Sequence, residues 1–359
     1  MPKISFVCPS YNHEKYIDNF VESVLNQIEE NFELIIVDDN SQDSSMQKVS
    51  QFNDPRITII KHLYNQGMMQ GLNDGIAAAK SDIIVFIASD DVLAPDYAEK
   101  ILKAFENPEI GVVYVGLQYM DEDGNHLPTP DNLLPLDSTR YEILYKSFLF
   151  DNQVPSPGMA FRKSAIAPFL PFKNGLLLFA DSEMHMLLML FNEISFINEP
   201  LVYYRMAPNS ASRARGYVIR RNVEINMLLD SFTEHIGLNK FNEIFGSDEI
   251  VQKYKATKET LPYLLGMIAL NSKNYDRKIW GYQKIASFIS TMGNMDLLHS
   301  LYGFTFKDYM NLVNKFQESR ENKLNKKLNK KLKKYRKRFQ YSSFFVVMLL
   351  ILCILLVIL

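Results

Sequence analysis

Carboxylates supply the chemistry most visible in this 359-residue sequence. Asp38-Asp39 and Asp90-Asp91 are adjacent pairs, each directly behind a short apolar run, and Asp181 stands at the head of another apolar stretch. Neighbouring carboxylates repel, so a pair at the end of a buried strand calls for a cation or for hydrogen-bond donors. A competing reading makes Ser89, Asp90 and Asp91 a cap on the helix that starts near Pro95, and Asp181 or Ser182 a cap on its own helix. No His/Cys cluster has metal-ligand spacing, which speaks against zinc. His62 and His185 lack such partners and read as packing or surface histidines.

The elements that must position these acids alternate. Ile4 to Cys8, Leu34 to Val37, Ile57 to Ile60, Ile83 to Ala88 and Gly111 to Met120 read as strands. Between them, Glu14 to Ile28, Ser44 to Phe52, Met68 to Lys80 and Asp96 to Phe105 read as helices. Strands alternating with helices predict an α/β fold with a Rossmann-like, mostly parallel sheet and right-handed crossovers. In such sheets ligands bind beyond the carboxyl ends of the strands. The distinctive polar residues stand there: Pro9-Ser10-Tyr11-Asn12, Asp38-Asp39-Asn40-Ser41, Asn65-Gln66-Gly67 and Asp90-Asp91.

These motifs, in this order and with Asn73 inside the helix after Gly67, resemble the family 2 glycosyltransferases of the GT-A fold over about Lys3 to Arg215. The resemblance implies an inverting, nucleotide-sugar-dependent enzyme in which Pro9, Tyr11, Asn12, Asp38, Asp39, Asn65, Gly67, Asn73, Asp90 and Arg205 border the donor. It implies a divalent cation, Mg2+ or Mn2+, on Asp90 or Asp91, because hard cations prefer oxygen ligands and neutralise a diphosphate leaving group. The family usually carries Asp-x-Asp here, and Ala88 stands in the first position, so either acid remains open as the ligand.

Val154-Pro155-Ser156-Pro157-Gly158-Met159 resembles the acceptor-side loop, in which Ser156 and Gly158 leave room for substrate; an ordinary Pro-rich turn is the alternative. Phe179-Ala180-Asp181 falls where the family carries Glu-Asp, so Asp181 becomes the base that deprotonates an acceptor hydroxyl. Tyr204-Arg205 ends the resemblance, with Ala207 where a His is common; Arg205 pairs with a diphosphate or with an acidic residue.

Charge divides the chain unevenly. Eleven Lys or Arg and two Glu lie between Glu318 and Gln340, leaving 28 basic and 39 acidic residues elsewhere. A body near −11 argues against nucleic-acid binding. In the basic segment Leu324, Leu328, Leu332, Tyr335 and Phe339 make an amphipathic helix, and sixteen apolar residues, Phe344 to Leu359, follow. With Tyr341-Ser342-Ser343 the run spans roughly 28 Å, close to the ~30 Å hydrocarbon core. Cations before it favour a cytoplasmic body and attraction to anionic membrane lipids. The start of the chain lacks a signal-peptide pattern, and Cys8 and Cys353 make no disulfide framework.

The expected organisation is 1–216 GT-A glycosyltransferase domain, 217–317 helical accessory domain, 318–340 basic helix and 341–359 C-terminal membrane-anchor helix. The expected protein is anchored in the bacterial inner membrane with its catalytic domain in the cytoplasm, transferring a sugar, from a UDP-sugar foremost, to a hydroxyl of a surface glycan or lipid-linked acceptor. A polyprenyl-phosphate sugar transferase, or a catalytically silent nucleotide-binding or membrane-scaffold module, is the competing expectation.

Overall fold

Ile4–Ser10 (β1) and Phe32–Asp38 (β2) are buried almost throughout and lie at the heart of a computed structural model that describes residues 1–206, 217–314 and 331–333. Ile57–Lys61 (β3) and Ile83–Phe86 (β4) flank them, and the order β3-β2-β1-β4 is parallel throughout. Parallel neighbours need crossovers. Ile17–Leu25 (α1), Ser45–Val49 (α2) and Met68–Ala78 (α3) supply them. In α1 the buried side chains are Ile17, Phe20, Val21 and Val24, one helical face. Gly75 lets α3 lie directly on β1, because a Cβ there would overlap Val7 Cγ1.

Val92–Leu93 (β5), Tyr97–Ala104 (α4), Ile110–Met120 (β6), Arg140–Leu149 (α5) and Met159–Arg162 (β7) follow in order. Lys163–Ile166 (α6), Ala180–Phe191 (α7) and Glu193–Arg205 (β8) complete this stretch. The sheet has eight strands in the order β3-β2-β1-β4-β7-β6-β8-β5. β7 runs antiparallel to β4 and β6, and β5 antiparallel to β8, while β6 and β8 are parallel. The sheet is therefore mixed rather than mostly parallel. Antiparallel neighbours need no helical crossover, so strand-helix alternation in the first half carries no information about the second.

Tyr217–Glu234 (α8), Leu238–Phe245 (α9), Glu249–Lys253 (α10), Leu261–Leu270 (α11), Tyr275–Ile289 (α12) and Asn294–Tyr302 (α13) are the later helices. The chain divides into compact units Met1–Ile285 and Ala286–Leu359, so the 216/217 junction falls inside the first. Within that unit Phe148 of α5 meets the rings of Phe232, Phe245 and Trp280 at 6.3, 5.0 and 5.6 Å, one aromatic core shared with the helices. In the second unit α13 is bounded by Gly293 and Gly303, both with positive φ. Apart from helical residues 331–333, the segments 318–340 and 341–359 lie outside the described residues. Among the described residues no helix is long and apolar enough to cross a membrane.

Candidate functional site

Side chains of neighbouring loops tie together the carboxyl ends of β1, β2 and β3. Asn12, at φ 55°, donates its N–H to Ser41 Oγ (3.1 Å) and accepts at Oδ1 from Gln42 N (2.8 Å). Asp38 is buried and accepts from Ser41 N at 3.0 Å. Asp39 is spent more completely: Oδ1 accepts from Gln66 N (2.6 Å), Oδ2 from Gly67 N (2.8 Å), and His62 Nδ1 lies 2.8 Å from Oδ1. His62 reaches on to Asp74 at 2.9 Å, so it is a buried strut between two acids and not a bare packing residue. Burial lowers its pKa, but Asp39 and Asp74 more than offset that and hold it above the usual value. Gly67 adopts φ 90° at the start of α3, which its lack of a side chain permits. Around this frame Tyr11 and Asn65 are exposed and Pro9 is half-buried against Gly71.

At the end of β4, Ser89 is buried, 2.6 Å from His13 Nδ1 and 3.0 Å from Ser10 Oγ. Asp90 is half-buried, whereas Asp91 is 1% exposed. Asp91 Oδ1 accepts from Arg205 N at 3.0 Å, and its Oδ2 is buried without a hydrogen-bond partner. Burial first, and then the Asp90 charge, push the Asp91 carboxyl well above its usual range. The buried Arg205 gives Nε to the Asp90 carbonyl (2.8 Å) and Nη1 to the carbonyls of Asp121 (3.0 Å) and Glu122 (2.9 Å). Its guanidinium also covers the Tyr16 ring at 4.7 Å. Arg205 thus clamps two loops, which differs from the expected pairing with a diphosphate or an acidic side chain.

Asp90 and Asp91 fit a divalent cation by donor chemistry. One carboxylate reaches solvent, and the other carries an orphaned buried oxygen. Among the described residues no group of three or more His, Cys, Asp or Glu is arranged around a metal site, so a hard ion here relies on water or ligand oxygens for the rest of its shell.

The β4–β7 pairing brings the second half of the site to the same edge. Phe86 is in register with Met159, and Gly158 N donates to the Phe86 carbonyl at 3.1 Å, four residues before Asp90. Gly158 itself is filled from behind: Tyr97 OH donates to its carbonyl (2.6 Å), φ is 68°, and a Cβ would overlap Val202. Its missing side chain makes room for the core rather than for substrate. Ser156, two residues earlier, donates from Oγ to Asp181 Oδ2 at 2.8 Å. His185 Nε2 lies 2.9 Å from the same Oγ, and His185 Nδ1 lies 3.1 Å from Tyr114 OH. His185 is 1% exposed; burial pushes its pKa down to about 4 against the opposing pull of Asp181. His185 is therefore more than the packing or surface histidine expected from the sequence, and its i, i+4 spacing from Asp181 puts both on one face of α7.

The segment entering α7 is held from both sides. Asn73 of α3 makes a two-way pair with Phe172, accepting from N (2.8 Å) and donating to O (3.0 Å), so its carboxamide serves this loop. From α8, Glu224 accepts from Leu177 N (2.9 Å) and Leu178 N (2.6 Å), and Arg221 covers the Phe179 ring at 5.2 Å.

A family model described as glycosyl transferase family 2 matches residues 5–168. An uncharacterized glycosyltransferase of Haemophilus influenzae is 31% identical over 208 residues, covering 56% of this chain and 67% of that protein. Among solved structures, S. aureus TarS 1-349 in complex with UDP aligns with a TM-score of 0.57 at 18% identity, covering 79% of this chain and 88% of that one. The mannosyltransferase PcManGT from Pyrobaculum calidifontis in complex with GDP-Man and Mn2+ aligns at 0.51 and 15%, covering 83% and 79%. With strand ends, motif order and relatives in agreement, the chain belongs to the family 2 glycosyltransferases.

Proposed function

We propose that this glycosyltransferase is a metal-dependent, inverting enzyme that moves a sugar from a UDP-sugar to a hydroxyl of a surface glycan or lipid-linked acceptor. The observation that carries the reading is the Ser156–Asp181 contact on a loop pinned to β4 just before Asp90. In this reading the same end of the sheet carries a carboxylate pair for the leaving group and a separate carboxylate for the nucleophile. The complexes of TarS with UDP and of PcManGT with GDP-Man and Mn2+ support a nucleotide-sugar donor and a divalent ion.

In this reading Tyr11, exposed at the end of β1, offers a ring to the base, and Asp38 and Asn65 border the nucleoside. Asp90 and Asp91 are the residues that would hold a divalent cation, which when bound would supply neutralisation of the charge on the departing diphosphate. Asp181 takes the proton of the acceptor hydroxyl as the oxygen attacks the anomeric carbon and the bond to the diphosphate breaks. Attack opposite the leaving group inverts the centre, through an oxocarbenium-like transition state. The basic and apolar segments 318–340 and 341–359 hold the enzyme at the cytoplasmic face of a bacterial inner membrane, near anionic lipid and its acceptor.

The test is a panel of nucleotide sugars read by nucleotide release, with and without Mn2+, against hydroxyl acceptors. Asp181→Asn is expected to lower kcat by about 10³-fold, within the range of general-base catalysis. An unimpaired variant overturns the hydroxyl reading in favour of a phosphate acceptor, which needs no base. Donor binding without turnover on any acceptor favours a silent module. A version ending at Arg320 that glycosylates lipid-linked acceptor in membranes as fast as the full chain overturns the anchoring role.

A further inference from the structure

We propose that Ser156 and His185, with Tyr114 behind them, are positioning residues that aim the Asp181 carboxylate at the acceptor. The proposal rests on the reading of Asp181 as the base. The contacts run in one line: Tyr114 OH to His185 Nδ1 (3.1 Å), His185 Nε2 to Ser156 Oγ (2.9 Å), Ser156 Oγ to Asp181 Oδ2 (2.8 Å). A neutral imidazole has one donor and one acceptor nitrogen, so only two directions are open to the line.

If Nδ1 carries the proton, Ser156 must donate to Nε2, and two acceptor oxygens then face each other at Asp181. If Nε2 carries it, Tyr114 donates to Nδ1, His185 donates to Ser156, and Ser156 donates to Asp181. Only the second satisfies all three contacts with an ionised Asp181. Every donor then points toward the carboxylate, an arrangement in which successive hydrogen bonds reinforce one another.

Burial supports this assignment. Tyr114 and His185 are 0% and 1% exposed, their rings 5.3 Å apart, and His185 stays neutral because burial disfavours its charged form. A neutral His185 cannot compete with the acceptor as a proton source for Asp181. The line also joins three elements, β6, the loop before β7 and α7, and turning the base breaks its contact with Ser156. Preorganisation of this kind acts on kcat, because misaligning a catalytic group by a fraction of an ångström is felt in the transition state.

The experiment is steady-state kinetics on the full chain with UDP-sugars and a p-nitrophenyl glycoside panel as hydroxyl acceptors, read by UDP release. Ser156→Ala is expected to lower kcat by about 10- to 30-fold with donor KM within about twofold, and Tyr114→Phe by about threefold. Ser156→Thr, which keeps the hydroxyl, is expected to restore most of the rate. In an Asp181→Asn background Ser156→Ala is expected to cost nothing further, since residues acting as a unit are non-additive. A Ser156→Ala enzyme whose kcat stays within twofold, or whose loss lies in donor KM, overturns the relay even when Asp181→Asn is inactive. An active Asp181→Asn instead overturns the base. If Ser156→Ala does not fold, the Tyr114→Phe and Ser156→Thr pair decides, and equal, unimpaired kcat in both overturns the relay.

Discussion

The two sides of the site are held in place by different means. On the proposed donor side the loops after β1, β2 and β3 hold one another: Asn12 binds Ser41 and Gln42, and Asp39 binds Gln66, Gly67 and His62. Apart from Gln42 and His62, the residues that build this frame are the motif residues themselves. On the proposed acceptor side Ser156 and Asp181 are held by elements remote in sequence, with Asn73 of α3 and Glu224 and Arg221 of α8 gripping the segment before α7. The family model matches residues 5–168, so Asp181 and its α8 supports lie beyond the matched stretch. The frame thus draws on both parts of the chain, Asn73 and Ser156 inside the matched stretch and α7 and α8 outside it.

The largest expected effect that sharpens this contrast compares two glycines with positive φ. At Gly158 a Cβ meets Val202 in the core as well as a left-handed backbone, and Ala there is expected to cost about 3 kcal/mol. At Gly67 nothing lies within 4 Å, but φ 90° with ψ 156° is a conformation essentially confined to glycine, so Ala is expected to cost the backbone term alone, about 2 kcal/mol. Urea unfolding of both variants checks the difference. Equal losses would mean that the acceptor-side loop is no more tightly packed than the donor-side turn.

A somewhat smaller effect is expected at the α8 support. Glu224 is buried, and a single carboxylate oxygen takes two main-chain N–H groups, with Arg220 3.4 Å from the other. Glu224→Gln keeps the shape and removes the charge, at a cost of about 2 kcal/mol. Because those N–H groups precede Asp181 by only a few residues, kcat is expected to fall while donor KM holds. A fall in donor affinity instead would show that α8 serves the donor side as well.

The same contrast explains what the sequence reveals. The donor motifs are legible because they sit at strand ends, where local period and residue type suffice. Asp181 is legible as an acid before an apolar helix, but Glu224 is not, because its partners lie 46 and 47 residues away and nothing in its own surroundings signals them. β7 is hidden for another reason: four residues, Met159–Arg162, behind a Pro-rich loop are too few to show a period. α5 carried a readable start signal, the Thr139/Glu142 capping box, that the apolar pattern of Arg140–Leu149 alone does not reveal. Asn73 and Arg205 have the residue types that bind nucleotides, yet the side chains of both are hydrogen-bonded to main-chain groups of distant loops. Side-chain type shows what a residue is able to bind, and only the fold shows what it has already bound.

The smallest effect sets the two buried histidines against each other. His62, between the carboxylates of Asp39 and Asp74, is held above its ordinary value of 6.5, so folding favours its protonated form. Its contribution to stability is complete below about pH 6.5 and fades as pH rises through the folded-state value. His185, which faces Asp181 and Tyr114, is pushed from 6.5 down to about 4, so folding favours its neutral form. Its contribution is complete above about pH 6.5 and is lost as pH falls toward 4, because the unfolded chain then takes up a proton that the folded chain refuses. Unfolding free energies at half-unit steps from pH 5 to 8.5 separate the two: His62→Gln is expected to flatten the curve above pH 6.5, and His185→Gln to flatten it below. Each slope is bounded by about 1.4 kcal/mol per pH unit for one proton. Curves that stay parallel to the unmodified protein in both windows would break the distinction between a charged strut on the donor side and a neutral relay on the acceptor side.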